Sequence, residues 1–407
     1  MTRARRRSMR KATTNINTLL LSLSLLGLSA CGGPSKAGLE AREDAYSRID
    51  LINTQIGYSQ AQQAFETGQL RDSLELIEKT VERYPDAAEY HLLHGRVLLE
   101  LHRLDESLAA FESAVERDEE LADAHYFMGI VHQRWSEDEE AYEHYLAATE
   151  LDDTSPQYLL AASETLVALG RHEEAKALME GRLRKFEHHP AFRHLLGQIA
   201  QLEGDREAAA RLYEEASLLQ PDDMQLLEEL ATAQFLAEQV PACLDTIRLL
   251  ESSEHELNRQ MVLLKARCLM QSERYTEARV IYRDLRTSTP NDVHVWEEWG
   301  WLAWLLDDHR GLLEAGRKVT VLAPDHAAGW VMLAVIDRAN DALESAEGHL
   351  ETAIGCNDAD SLAWVLLAKV RRMRGDEAGA EKAWATAVNL DERLQDDSKV
   401  VGVTEGG

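Results

Sequence analysis

The sequence predicts an all-α protein, a solenoid of about ten stacked helix–turn–helix repeats. Three observations predict this fold. Small and aromatic residues recur with a period of 34 from residue 54 to residue 394 of the 407-residue chain. Within each period, apolar residues are spaced by three and four, which places them on one face of a helix. Several periods end in a proline followed by Asp or Asn. Because each unit of such an array buries its face against its neighbours, the number of repeats matters more than chain length.

The first helix of each repeat carries an unexpected glycine. Counting residues 88, 122, 190 and 293 as place 1 of their repeats, place 8 is Gly95, Gly129, Gly197 or Gly300. Glycine inside a helix costs about 1 kcal/mol relative to alanine. We therefore expect the second helix to approach so closely that a Cβ would be blocked.

The second helix has a large residue at place 24 and a small one at place 27, as in Phe111 and Ala114. A proline at place 32 ends it, because the residue before a proline is pushed out of the helical conformation. The repeats that start near Pro156 and Met224 match weakly, with Arg182 and Leu250 at place 27. One extra residue also enters between Ser252 and Arg259. We interpret both as divergent repeats.

A 34-residue helix–turn–helix repeat with small residues where its helices cross and a proline at its exit resembles the tetratricopeptide repeat family. The resemblance covers residues 54–394. It implies a right-handed superhelix that binds other proteins in a concave groove, lined by places 2, 5, 9 and 12 of the first helices. The predicted groove residues are Tyr58, Gln62, Arg96, Tyr126, Gln133, His194, Gln198, Arg267, Glu297, Trp301 and Trp304. The family's clamp of Lys and Asn at places 5 and 9 is absent, so recognition of a chaperone tail is not carried over.

The densest anomaly is four tryptophans within residues 296–304. Trp296 and Trp299 occupy places 4 and 7, where packing is expected. Trp301 and Trp304 occupy groove places 9 and 12. Two interpretations of that pair remain open, an aromatic anchor for a partner segment and the filling of a larger space between repeats.

Residues 1–30 are predicted to be a signal peptide, with a basic start and an apolar run from Leu19 to Leu28 that is too short to span a bilayer. The following Leu28-Ser29-Ala30-Cys31 resembles a bacterial lipobox, which implies lipidation of Cys31 and stable attachment to a membrane. The alternative is an ordinary signal peptide with a chance cysteine. Gly32 after the cysteine favours the outer membrane, facing the periplasm, by resemblance to the known sorting rule.

The remaining segments flank the array. Residues 31–53 are predicted to be a short linker and an N-terminal helix, residues 54–394 the repeats, and residues 395–407 a disordered tail. No capping helix follows the tenth repeat, so its Ala380/Trp384/Val388 face is a second candidate docking surface, since arrays need polar caps.

Composition and motifs indicate which partners, metal sites and catalytic activities are not expected. A net charge of −29 disfavours nucleic acid and anionic lipid headgroups as partners. Cys243 and Cys268 are either buried free thiols or a disulfide that an oxidising compartment would permit. The histidines at place 4, His91 and His125, are expected in the core rather than on a metal. No catalytic motif is present, so we predict no enzyme activity, no cofactor and no metal site.

The predicted function is that of a membrane-anchored periplasmic scaffold, which binds envelope proteins through the groove or the C-terminal face. Such a protein would serve assembly of a pilus, of outer-membrane proteins or of an exopolysaccharide exporter. The alternative, from a different class, is a glycan- or peptidoglycan-binding repeat protein that stacks sugars on the exposed tryptophans.

Overall fold

The computed structural model describes residues 35–182, 184–253 and 256–395. Within these ranges the chain is helical throughout, without a strand, which confirms the predicted all-α repeat solenoid. The helices are α1 (Lys36–Glu66), α2 (Leu70–Arg83), α3 (Ala88–Glu100), α4 (Leu104–Val115), α5 (Ala122–Arg134), α6 (Asp138–Leu151), α7 (Pro156–Ala168), α8 (His172–Glu180), α9 (Pro190–Glu203), α10 (Arg206–Leu219), α11 (Met224–Leu236), α12 (Val240–Ser252), α13 (Arg259–Gln271), α14 (Tyr275–Ser288), α15 (Val293–Leu305), α16 (His309–Leu322), α17 (Ala327–Ala339), α18 (Leu343–Cys356), α19 (Ser361–Met373) and α20 (Glu377–Leu390), before a 3-10 turn (Glu392–Gln395).

Odd-numbered helices are the first helices of the repeats and even-numbered helices the second. Each pair is joined by a tight turn with one residue in the left-handed conformation. Successive turn residues are 34 residues apart, except that Glu273 follows Glu238 by 35. After most first helices the turn is closed by a hydrogen bond across six residues, such as Asp308 N to Ala303 O at 2.8 Å. The turn residues are Gly68, His102, Ser136, Gly170, Gly204, Glu238, Glu273, Asp307, Asp341 and Gly375.

The described residues fall into two compact units, one ending at Gly170 and the other beginning at Arg171. In the first unit, Phe111 and Tyr145 of the second helices are buried. A Cβ added to Gly95 would lie 2.4 Å from the ring of Phe111, and one added to Gly129 would lie 2.6 Å from the ring of Tyr145. The glycines at place 8 are therefore required by close approach of the second helix.

In the second unit, Gly300 has a different neighbour. Place 24 of its repeat is Gly316 instead of an aromatic residue, and Met332 of α17 fills the space, with its sulfur 2.4 Å from where a Gly300 Cβ would lie. Buried Trp296 and Trp299 supply the aromatic volume from the first helix instead.

The two divergent repeats differ from each other in a physically simple way. The second helix of the repeat from Pro156, α8, ends at Glu180, before Arg182 at place 27. Burying an unpaired guanidinium against a neighbouring helix would be costly, so the helix stops short of it. Leu250 at the same place is apolar and fully buried, and α12 continues to Ser252.

The predicted N-terminal helix extends the first repeat without packing on it. α1 is continuous from Lys36 to Glu66, and its residues 36–53 are all exposed, including Tyr46 and Ile49 at 55% and 53%. No helix in the described part of the chain is long and apolar enough to cross a membrane. The predicted signal peptide and Cys31 lie outside the described residues, as does all of the predicted tail except Gln395.

Candidate functional site

In the first unit, the predicted groove residues join three first helices through stacked side chains. The guanidinium carbon of Arg96 on α3 lies 5.0 Å from the ring centre of Phe65 on α1 and 5.1 Å from that of Phe127 on α5. Tyr58 on α1 lies with its ring centre 4.9 Å from that of Tyr90. These cation–π and aromatic contacts hold α1, α3 and α5 together along one stripe.

The other predicted residues of this unit contact neighbours on their own repeat or on the next one. Tyr126 is half-buried, with its ring centre 5.2 Å from that of Tyr158. Gln133 is exposed and its Oε1 accepts a hydrogen bond from the hydroxyl of Tyr145 at 2.9 Å. Gln62 is exposed and donates to Glu66 at 3.2 Å.

In the second unit, contacts between polar and charged side chains link successive first helices. His194 of α9 contacts Glu229 of α11, and Gln198 lies 3.4 Å from the same imidazole nitrogen. Arg267 of α13 donates through Nε to Glu298 of α15 at 2.8 Å. Glu298 also accepts a hydrogen bond from the hydroxyl of Tyr282, and burial, together with the negative charge of Glu298, raises the pKa of that phenol.

The tryptophans of α15 divide into two pairs. Trp296 is 7% exposed and Trp299 is 3% exposed, so both belong to the core, as expected for places 4 and 7. The indole N–H of Trp296 donates to the carbonyl of Pro290 at 2.8 Å. Trp301 and Trp304 are only half-buried, and their ring centres are 5.5 Å apart.

Charged groups fix the surroundings of that half-buried pair. Glu297 accepts a 3.5 Å hydrogen bond from the indole of Trp301, and its other oxygen lies 2.9 Å from Nε2 of His326, the N-cap residue of α17. Arg267 and Glu298 neutralise each other nearby. The structure thus brings Arg267, Glu297, Trp301 and Trp304 to neighbouring first helices within one unit.

The place-4 histidines have two different environments. His91 is 6% exposed and its Nε2 lies 2.8 Å from the carbonyl of Pro85, the same contact that Trp296 makes in its repeat. His125 has a buried Nδ1 without a partner among the described residues. Its ring lies 5.9 Å from that of His144, which in turn stacks 5.1 Å from His132. No three His, Cys, Asp or Glu side chains of the described chain are arranged to hold a metal ion.

Sequence reasoning missed the sandwich around Arg96 and the histidine group around His144. A signal for the first exists: Phe65, Arg96 and Phe127 follow one another by 31 residues, one helical turn less than the repeat period. Arg267 and Glu298 share this offset. Side chains at that offset lie on facing first helices of consecutive repeats, a relation that inspection of single repeats does not show.

Cys243 and Cys268 lie side by side in the core of the second unit. Both are buried, and their sulfurs are 3.2 Å apart without a bond between them. The one-residue insertion therefore does not separate α12 from α13.

The tetratricopeptide repeat family model matches residues 58–122 and 92–156. No curated protein that was compared matches the chain. Solved structures match with low identity: a tetratricopeptide repeat protein of Parabacteroides merdae (14% identity, 60% of this chain, 96% of that chain, TM-score 0.43), PilF of Pseudomonas aeruginosa (19%, 52%, 96%, 0.42) and a chain of the APC/C hetero-tetramer Cut9–Hcn1 (12%, 89%, 95%, 0.45). No partner is inferred for this chain from these likenesses.

Proposed function

We propose that this chain is a tetratricopeptide repeat scaffold that holds an extended segment of another protein against its first helices. The observation that carries the proposal is the half-buried pair of Trp301 and Trp304. Large, rigid aromatic side chains that are only partly covered are the usual energetic anchors of protein interfaces. Trp296 and Trp299 on the same helix are buried in the core, whereas Trp301 and Trp304 pack against it and keep part of their rings exposed.

The surroundings of the pair define the partner's chemistry. Glu297 places a negative charge beside the indole of Trp301, while the charge of Glu298 is balanced by Arg267. A segment with an apolar side chain to cover the indoles and a Lys or Arg to pair with Glu297 fits this surface. The net charge of −29 would speed the approach of such a basic segment. High salt would screen this attraction and weaken the association.

We further propose that the scaffold works at the periplasmic face of a bacterial membrane, with envelope proteins as partners in an assembly machine. The support is the basic start, the Leu19–Leu28 run and the sequence ending at Cys31. α1 begins at Lys36, five residues after that cysteine, so a lipid there would hold the start of α1 close to the membrane.

Metabolic labelling with an alkyne fatty acid tests the anchor. We expect label on the intact protein in the membrane fraction and neither label nor membrane attachment in Cys31→Ser. A labelled Cys31→Ser protein, or an unlabelled native one, would overturn the lipid anchor without touching the scaffold proposal.

Photocrosslinking in the producing cell tests the scaffold. A benzoylphenylalanine at position 301 or 304 is expected to give a discrete adduct with an envelope protein. The matched control is position 321, since Val321 is 76% exposed on α16, the second helix of the same repeat. Equal adducts at 301 and 321 would indicate a nonspecific surface, and no adduct at 301 in a correctly located protein would overturn the proposal.

Fluorescence titration tests the glycan alternative. Soluble peptidoglycan fragments that stack on the pair would quench the fluorescence of the native protein but not that of Trp301→Phe. Quenching that survives in Trp301→Phe would come from another of the eight tryptophans.

A further inference from the structure

A cavity of about 380 Å³ lies in the second unit, away from the half-buried tryptophan pair. Its walls come from α14 and the start of α16, and Trp299 of α15 contributes to its lining. Four arginines line it together with one aspartate and one glutamate: Arg279, Arg283, Arg286, Arg310, Asp308 and Glu314. This excess of positive charge stands out in a protein with a net charge of −29.

Helix geometry explains why the arginines converge. Arg279, Arg283 and Arg286 follow one another by four and three residues, which places them on one face of α14 over about 10 Å. Arg310 is the second residue of α16 and faces the same cavity. The positive end of the α16 dipole adds to the field there.

The carboxylates nearby leave part of this charge unbalanced. Arg279 pairs with Asp308 at 3.1 Å and Arg286 with Glu314 at 3.1 Å, while the exposed guanidinium of Arg283 pairs with its chain neighbour Asp284 at 3.2 Å. Arg310 makes no ion pair with another described residue. Asp308 is further engaged in capping α16 through the backbone N–H of Gly311.

Two buried donors in the cavity lining have no acceptor among the described residues. They are Nε of Arg286 and the indole nitrogen of Trp299. Arg286 is held in place by stacking, its guanidinium carbon 4.1 Å from the Trp299 ring centre and 5.0 Å from that of Trp296. Leaving a buried donor unpaired costs about 1–3 kcal/mol, so an acceptor that reached either N–H group would stabilise this part of the cavity wall.

We propose that this cavity binds a phosphate group, either free or as a monoester of a small molecule. Guanidinium groups on two sides of the cavity match the several oxygens and the double negative charge of a phosphate. A carboxylate ligand has only two oxygens and a single charge, so it would leave some of these guanidinium groups without a partner. The cavity is within the size range of small-molecule sites, so a small esterified group would fit beside the phosphate. This site is independent of the tryptophan pair and of the scaffold proposal.

Calorimetric titration of the full chain with inorganic phosphate and with glycerol 3-phosphate tests this. We expect saturable binding that weakens at least about tenfold in Arg310→Gln and in Arg283→Gln, since each removes a charge-assisted contact. Arg248→Gln is the matched control, because Arg248 of α12 is about as exposed as Arg283 (68% against 63%) and likewise pairs with a nearby Asp. Circular dichroism would show that all three variants fold.

The outcomes separate the sources of the phosphate. Similar affinities for the two probes indicate free phosphate, and tighter binding of the ester indicates a phosphorylated small molecule. Absence of saturable binding, or equal weakening in Arg248→Gln, would overturn the proposal. Glycerol alone is expected to give no heat of binding.

Discussion

In the repeat of residues 88–121, the glycine of the first helix faces the ring of Phe111 from its own second helix, whereas in the repeat of residues 293–326 it faces Met332 of the next repeat. The second repeat has Gly316 where the first has Phe111, and it has Trp296 and Trp299 where the first has His91 and His94. The large buried aromatic side chains thus lie on the second helix in residues 88–121 and on the first helix in residues 293–326. Two of the four tryptophans of α15 are thereby explained as packing, and Trp301 and Trp304 are not.

The largest effect should separate the two tryptophan pairs. Trp296→Ala should lower the free energy of unfolding by about 3–5 kcal/mol, because it empties a buried site and removes the bond to Pro290. Trp301→Ala should cost about 1–2 kcal/mol because its ring is already half-exposed. Urea unfolding measures both. A Trp301→Ala cost as large as that of Trp296→Ala would place Trp301 in the core and remove the main support for a binding site there.

A pH effect of intermediate size should distinguish the repeat of residues 122–155, which has His144 where residues 293–326 have Ala315. Burial, with smaller contributions from His132 and His125, lowers the pKa of His144 from its ordinary 6.5 to about 4. Between these values the unfolded chain binds a proton that the folded chain does not, so stability falls as the pH falls from about 6.5 to 4. The expected loss is about 1–3 kcal/mol.

Unfolding measured at several pH values checks this, with His144→Ala as the test variant and His188→Ala as control, since His188 is exposed. The slope of stability against pH should flatten only in His144→Ala, whatever the variant's absolute stability. An unchanged slope would mean that the imidazole of His144 is solvated.

The smallest difference concerns the two glycines. A Cβ on Gly95 would lie 2.4 Å from a buried, rigid ring, whereas a Cβ on Gly300 would lie 2.4 Å from the flexible end of Met332. Alanine also gains about 1 kcal/mol of helix propensity at both sites. We expect a net loss of about 1–2 kcal/mol for Gly95→Ala and a smaller loss for Gly300→Ala, where Met332 can shift but the Cβ of Ala315 lies 3.0 Å away. Equal effects in paired thermal melts would show that the ring of Phe111 yields as easily as a methionine.

The sequence was sufficient for the repeat fold, because the period, the prolines and three of the four place-8 glycines reflect turns or contacts within one repeat. It also identified Trp296 as a packing residue and Arg182 as an irregularity, and α8 indeed ends before Arg182. The sandwich of Arg96 and the environment of His144 depend on which faces of neighbouring helices meet. That information resides in the offset between repeats, so single-repeat patterns could not supply it. The roles of Trp301 and Trp304 stay a prediction, because half-burial is compatible with binding and does not establish it.

The left-handed turn residue has a consequence for how the chain tolerates change. Glu238 and Glu273 keep the same turn geometry although the spacing between them is one residue longer than elsewhere, and the added residue lies in the connection between α12 and α13. The length of the helical hairpin is therefore kept constant, and the connection between two hairpins accommodates the extra residue. We expect the connections between hairpins to accept an inserted peptide tag or a whole extra hairpin. A single residue added within a turn would instead shift the two helices of that hairpin out of register.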